Sequence, residues 1–256
     1  MFARLQGKTV LITGASSGIG EACAHKFAEC GSNLVLTARR QPRLEQVKTA
    51  IAARWPNVRV DTAELDVRDE TAVKRCVAEI PRIDVLVNNA GLAVGTDPVE
   101  LVRTEDMDAM IDTNVKGLLY VTRAVLANMK NHGEAAHVIM IGSIASLTGY
   151  PNGSVYCATK SAVHAITESL RAETISTPVR VTEIRPGMVE TEFSVVRNYG
   201  DTQKAANVYR GVEPMVAEDV ADAAVFAASR HPRCVLADVV MLAGGQASAT
   251  LVHRNE

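Results

Sequence analysis

Tyr156 and Lys160, in the run Tyr156-Cys-Ala-Thr-Lys160, are the residues best spaced for chemistry. Four apart on a helix, they share one face about one turn apart. A phenol with an ordinary pKa near ~10 is a poor base at neutral pH. A neighbouring ammonium favours the phenolate and brings it toward the range useful for proton transfer. Such a pair can take the proton of a substrate hydroxyl or return one to a carbonyl oxygen. Ser143 precedes them and can hydrogen-bond the same oxygen. Cys157 points from another face of the helix and reads as packing. His164, one turn after Lys160, reads as a structural neighbour. His25 and His137 have no partner cluster, so no metal site is expected.

A second constellation lies near the start. The β-branched run Thr9-Val-Leu-Ile12 leads into Thr13-Gly14-Ala-Ser-Ser-Gly18-Ile-Gly20, which opens a helical segment. A tight turn, close backbone approach and a helix N-terminus together make a seat for pyrophosphate. Gly14, Ser16, Ser17, Gly18, Ile19 and Gly20 are the residues expected around it. The spacing G-x-x-x-G-x-G is one residue longer in its first gap than the common dinucleotide fingerprint. No Gly-Lys-Ser/Thr follows, which excludes a phosphate-transferring P-loop. The second strand ends in Thr37-Ala38-Arg39-Arg40. An acidic residue there would read a ribose 2′-hydroxyl, whereas a guanidinium suits a 2′-phosphate. The expected cofactor is therefore NADP, with Arg39 the first choice for that phosphate and Arg40 the second.

The elements that must hold these groups alternate. Short runs at Leu34-Val-Leu-Thr37, Val85-Leu-Val87 and Val138-Ile-Met-Ile141 lack in/out alternation, as expected of parallel strands covered on both faces. Between them lie helical segments at Ile19 to Cys30, Pro42 to Arg54, Asp69 to Glu79 and Val155 to Glu173. Val179 to Ile184 and Asp238 to Leu242 read as the sixth and seventh strands, with a helix from Asp219 to Ala228 between them. Thr104-Glu-Asp is expected to cap a further helix, and Gly31 to end the first. Alternating strands and helices predict a parallel sheet with helices on both faces. The 256 residues form one domain, 1–256, with a more polar insertion at 190–216 placed over a site.

Composition excludes other classes. There are 27 basic and 29 acidic side chains, a formal charge of −2, without the basic excess of a nucleic-acid binder. Hydrophobic residues at 47% and charged residues at 22% exclude a disordered chain. Five scattered cysteines with no C-x-x-C, no membrane-length apolar run and no secretory leader at Met1-Phe-Ala-Arg predict a reduced cytoplasmic protein without membrane or nucleic-acid partners.

Taken together, the glycine-rich turn, Asn88-Asn89-Ala90-Gly91, Ser143 and Tyr156-x-x-x-Lys160 resemble the short-chain dehydrogenase/reductase family over essentially the whole chain. The resemblance implies an α/β doubly wound Rossmann fold with a seven-stranded parallel sheet of order 3-2-1-4-5-6-7. It implies a catalytic set of Asn114, Ser143, Tyr156 and Lys160, with the lysine also holding the nicotinamide ribose and Asn114 keeping a water for proton relay. It places Asp66 at the adenine, with Val67, Asn89, Ala90 and Gly91 along the cofactor. Pro186, Gly187, Val189 and Thr191 would cradle the nicotinamide. The runs Gly149 to Lys160 and Val189 to Asp201, with Gln246-Ala-Ser248, are similar to NADP-dependent 3-hydroxy acid dehydrogenases of the serine and allo-threonine type. That implies oxidation of the 3-hydroxyl of a small 3-hydroxy (amino) acid, and a homotetramer. A small acid needs a cationic anchor because a buried carboxylate is costly unpaired. Arg185 and Arg197 are the candidates, and backbone N–H groups around Gly187 remain a further one. Gly244-Gly245 departs from that subgroup, and a ketoreductase of larger metabolites would share the same core. A catalytically silent NADP-binding relative would be expected to lack the tyrosine or the lysine.

Overall fold

Strand formation follows the β-branched runs. In the computed structural model, which describes residues 2–255, β1 (Thr9–Thr13), β2 (Asn33–Ala38), β3 (Val60–Glu64), β4 (Val85–Asn88), β5 (Ala136–Ile141), β6 (Val179–Pro186) and β7 (Asp238–Met241) form one sheet. All pairings are parallel and the order is β3-β2-β1-β4-β5-β6-β7, as the family resemblance implied. The order reverses between β1 and β4, where Val10, Leu11 and Ile12 stand opposite Val85, Leu86 and Val87.

The helices are α1 (Gly18–Glu29), α2 (Gln41–Arg54), α3 (Glu70–Ala78), α4 (Thr104–Ile111), α5 (Leu118–His132), α6 (Ser154–Glu173), α7 (Phe193–Arg197), α8 (Thr202–Tyr209) and α9 (Ala217–Ala228). Successive strand residues face opposite layers. Val10 and Ile12 join Phe27, Leu44, Ile51, Val220 and Val225 beneath α1, α2 and α9. Leu11 joins Val73, Val125, Met129, Val163 and Leu170 beneath α3, α5 and α6. Two cores share one sheet, which is why the strands show no polar face.

Local signals mostly act as expected. Gly31 takes a left-handed φ of +76° just after α1, and Pro42 sits in the first turn of α2. Thr104 does not cap α4. It is the first helical residue, Arg103 holds the capping position with extended backbone, and no side chain caps the turn. Arg103 instead spends its guanidinium on Asp106, at 2.8 and 3.0 Å. The insertion at 190–216 is less irregular than its composition suggests, since α7 and α8 lie within it. Between α4 and α5 the chain widens into one π-helical turn, Asp112–Gly117, a feature that often marks functional positions.

Candidate active site

A cleft of about 360 Å³ opens at the carboxyl ends of the strands, where the order reverses. Its floor is the glycine turn, and the geometry shows why the glycines are there. Gly14 has a φ of +66°, and a side chain on it would press on Ala90 and Asn89 at 3.0 Å. A Cβ on Gly20 would lie 2.4 Å from the Gly14 carbonyl oxygen. Asn89 is the staple: its side-chain amide donates to the carbonyls of Thr13 and Gly14 at 3.0 and 3.2 Å. The Thr13 hydroxyl accepts from the backbone N–H of Asn89 and of Ala90, each at 3.0 Å. The ends of β1 and β4 are thereby locked together, and the N-terminus of α1 points into the cleft.

Next to this turn stands a cationic corner. Arg40 donates to the Ser16 hydroxyl (3.3 and 3.2 Å) and the Ser17 hydroxyl (2.7 Å), and pairs with Glu192 at 2.9 Å. Arg43 reaches the same carboxylate at 3.3 Å. Arg39, the sequence's first choice, also lines the cleft, but Arg40 lies across the two serines. Asp66 lies in the wall and pairs with Arg68. That hydrogen bond holds its carboxyl below the usual range. Val67 and Gly91 complete this side, and Pro186, Gly187, Val189 and Thr191 form the opposite one. Gly187 is fixed by Gln246, whose amide oxygen accepts from the Met188 N–H at 2.9 Å and sits 2.2 Å from where a Gly187 Cβ would be. Helix-terminal N–H groups, hydroxyls and guanidinium groups at one end and a glycine cradle at the other fit a phosphorylated dinucleotide.

Ser143, Tyr156 and Lys160 converge on the same cleft. The Lys160 ammonium donates to the Ile141 carbonyl at 2.8 Å and lies 5.9 Å from the Tyr156 ring centre. Burial lowers its pKa to about 8, against the opposing pull of Glu183. Tyr156 departs from the sequence expectation. Burial pushes its phenol above the ordinary value, and the groups that pull it back are the Ser143 hydroxyl and the Arg197 guanidinium rather than Lys160. The physical reason is that the lysine is turned toward the strand end and shares the tyrosine's desolvated environment. Ser143 accepts from the Ala145 N–H at 3.1 Å, which aims its hydroxyl.

Asn114 sits in the π-helical turn, buried, with its side chain fully used. Its amide oxygen accepts from Leu92 N–H at 2.8 Å, and its nitrogen donates to the Leu92 carbonyl (2.7 Å) and the Thr159 hydroxyl (3.1 Å). It therefore staples the chain after β4 to α6.

Neither proposed acid anchor lines the cleft itself, but the structure separates them: Arg197 shares a small adjoining pocket with Tyr156, whereas Arg185 does not. Arg185 is 7% exposed, does not line the cleft, and lies 3.5 Å from Asp238 on β7. Alternation along β6 places it beside Glu183, beneath α6, so it serves a buried charge cluster with Asp238 and the His164–Glu183 pair (2.7 Å). The ligating atoms of His164, Glu183 and Asp238 lie within 4.8 Å of one another, and the Arg185 guanidinium supplies the positive charge beside them.

Arg197, at the end of α7, comes to 5.9 Å from the Tyr156 ring centre. It donates to the Tyr150 hydroxyl (3.2 Å) and the Asn152 carbonyl (3.3 Å), while its buried Nε has no partner. Phe193, 5.5 Å from Tyr156 between ring centres, walls the same space. Glu192, Phe193 and Tyr150 were not singled out from the sequence. Each lies inside a run quoted for its resemblance, and only their approach in space reveals their part in the site.

A strand-reversal cleft with a dinucleotide seat beside a hydroxyl–phenol–ammonium set defines a nucleotide-dependent oxidoreductase. The family model for short chain dehydrogenase matches residues 8–201, and the chain belongs to that family. It is 44% identical to the NADP-dependent 3-hydroxy acid dehydrogenase of Schizosaccharomyces pombe, over 99% of both chains. It is 46% identical to sulfoacetaldehyde reductase 2 of Chromohalobacter salexigens, over 86% of this chain and 88% of that one. Among solved structures, the closed form of a serine dehydrogenase complexed with NADP+ superposes with a TM-score of 0.89 at 40% identity, covering 96% of this chain and all of that one.

Proposed function

We propose that the protein oxidises the 3-hydroxyl of small 3-hydroxy acids, such as L-allo-threonine or serine, with NADP. The observation that carries this reading is the place of Arg197: a guanidinium held 5.9 Å from the ring centre of the catalytic phenol, sharing a small pocket with it. A carboxylate is the natural partner of such a group, because planar oxyanions take charge-assisted hydrogen bonds from guanidinium in pairs. The relatives named for 3-hydroxy acids and serine support the same reading.

NADP, when bound, would supply the hydride acceptor for the carbon that carries the hydroxyl. The glycine turn, Ser16, Ser17, Arg39 and Arg40 would hold its phosphates, with Asp66 and Val67 along the adenine side and Pro186, Gly187, Val189 and Thr191 along the nicotinamide side. Tyr156 takes the hydroxyl proton as its phenolate, the form that the Arg197 guanidinium and the Lys160 ammonium favour against burial, its own proton having gone to solvent. Ser143 donates to the same substrate oxygen and keeps it within reach. Lys160 supplies positive charge beside the phenol, and Asn114 would keep the water that relays the proton onward.

A homotetramer in the cytoplasm is the expected setting. The exposed Phe226 on α9 and the exposed Val240 and Leu242 at the β7 edge favour burial against a second copy. The primary test is NADP reduction, followed by reduced-nicotinamide absorbance, with L-allo-threonine, serine and 3-hydroxyisobutyrate, each against an NAD control. Turnover with these acids supports the reading. Inactivity toward them with NADPH oxidation by bulky neutral ketones would move the enzyme to carbonyl reduction on larger substrates, and inactivity in both directions would indicate a non-catalytic NADP-binding protein.

A further inference from the structure

Arg197 is held in place by a contact set that lies outside the cleft. Two residues later, Tyr199 ends α7 with a φ of +52°, a left-handed conformation in which glycine is at ease and tyrosine is not. Its hydroxyl donates to Asp106 of α4 at 2.7 Å. Asp106 is 6% exposed and also receives the Arg103 guanidinium at 2.8 and 3.0 Å. The same guanidinium lies 4.8 Å over the Tyr199 ring, so the tyrosine is gripped at its hydroxyl and on its face. The connection after β4 is shaped to let it pass: Gly95 has a φ of +77°, and a Cβ there would stand 2.7 Å from the Tyr199 hydroxyl. The Gly95 N–H in turn donates to the Arg197 carbonyl at 2.9 Å.

Burial by itself would raise the Asp106 carboxyl, and the hydrogen bonds from Arg103 and Tyr199 overcome that and hold it below its ordinary value. It therefore stays an anion through the neutral range and keeps accepting from Tyr199. The charged and titratable groups around it are Arg103 at the cap of its own helix and Tyr199 from the loop, with Glu105 on Arg103 at 3.5 Å and Asp97 and Arg197 lining the same small pocket.

We propose that Tyr199 is a positioning residue: seated on Asp106 and Arg103, it fixes the α7 end so that Arg197 faces the catalytic tyrosine, and thereby sets the preference for acidic substrates. This rests on Arg197 being the acid anchor. The strained φ is tolerated because the hydroxyl, the ring face and the adjoining backbone are each held by a separate partner.

The test compares Tyr199→Phe with the parent enzyme on two substrates of nearly the same shape, 3-hydroxyisobutyrate and its primary amide, with NADP saturating. The expected result is a threefold to tenfold rise in KM for the acid, about the worth of one partly exposed hydrogen bond to a charged group. The kcat for the acid and the KM for the amide should each move by less than twofold. Amide hydrogen exchange across 193–209 should quicken while that of β1 and β4 stays unchanged. In an Arg197→Gln background, Tyr199→Phe should add nothing to the acid KM. Equal changes for acid and amide, or an effect that persists without Arg197, would overturn the proposal. If Arg197→Gln abolishes the acid preference and Tyr199→Phe leaves it intact, the latch alone is wrong. If Arg197→Gln leaves the acid preference intact, the anchor reading fails and the latch with it. Should Tyr199→Phe fold poorly by thermal melting, Asp106→Asn removes the charge of the same seat and carries the same comparison.

Discussion

The two walls of the cleft are built by opposite means. The cofactor wall is a junction of strand ends, with Thr13, Asn89 and three glycines packed at contact distance and bonded through backbone groups. The substrate wall is two short helices held from outside by a few side chains, Tyr199 on Asp106, Tyr209 on Ser194 and the Val189 carbonyl, and Arg40 on Glu192. A wall made of backbone contacts tolerates little change. A wall made of side-chain ties is adjustable, which suits the part that selects substrate.

The largest effect belongs to chemistry common to both walls. Tyr156→Phe should lower kcat by about 10²–10⁴-fold, the range of a lost general acid–base group, with NADP affinity by fluorescence titration within twofold. Substantial retained turnover would place the proton transfer elsewhere.

Glycine substitutions contrast the walls directly. Gly20→Ala pushes a methyl against the Gly14 carbonyl and should cost about 1–3 kcal/mol of stability, with NADP binding weakened at least about tenfold. Gly200→Ala, on the substrate wall at a φ of +88° with open space around it, should cost only the backbone term, about 1 kcal/mol, and leave NADP affinity alone. Equal losses in both would erase the distinction.

Lys160→Met should abolish turnover and yet stabilise the fold at neutral pH. Burial brings the folded pKa to about 8, below the ordinary lysine value of 10.5. The unfolded chain therefore binds the proton more readily, and the lysine weakens folding below pH 8. That penalty fades as pH rises from about 8 to 10.5. Less the hydrogen bond to Ile141, removal should gain on the order of 1–3 kcal/mol at pH 7, a rise of several degrees in the thermal midpoint, shrinking toward pH 10. A loss of stability at pH 7 would contradict the burial argument.

The smallest effect tests the cationic corner. Arg40→Ala should weaken NADP about tenfold and NAD less, as one charge-assisted contact to a 2′-phosphate would. Equal weakening of both would shift selectivity to Arg39.

The sequence made the cofactor wall legible because its constraints are local. A turn that needs glycine writes glycine, and a pair on one helix face writes a four-residue interval. The sheet order and the convergence of Ser143, Tyr156 and Lys160 followed from the family resemblance and hold in the structure. What stayed hidden depends on contacts between distant segments. The segment 190–216 lacks an apolar stripe because its helices are short and tied by hydroxyls, so composition made it a loop. Arg185 and Arg197 look alike in the chain, and only strand alternation and the α7 end separate the one beneath α6 from the one beside Tyr156. Spacing reports that a lysine is near Tyr156 but not that both groups are desolvated, which raises the phenol and lowers the ammonium.

The most direct test of the central claim, that Arg197 makes this an enzyme for small hydroxy acids, is the ratio of kcat/KM for 3-hydroxyisobutyrate to that for its primary amide, measured with NADP in the parent enzyme and in Arg197→Gln. The account predicts a strong preference for the acid that falls about tenfold to hundredfold in the variant, the range expected when one member of a close charge pair is removed from a partly buried site. A ratio near one in the parent enzyme, or one unchanged in Arg197→Gln, would contradict it.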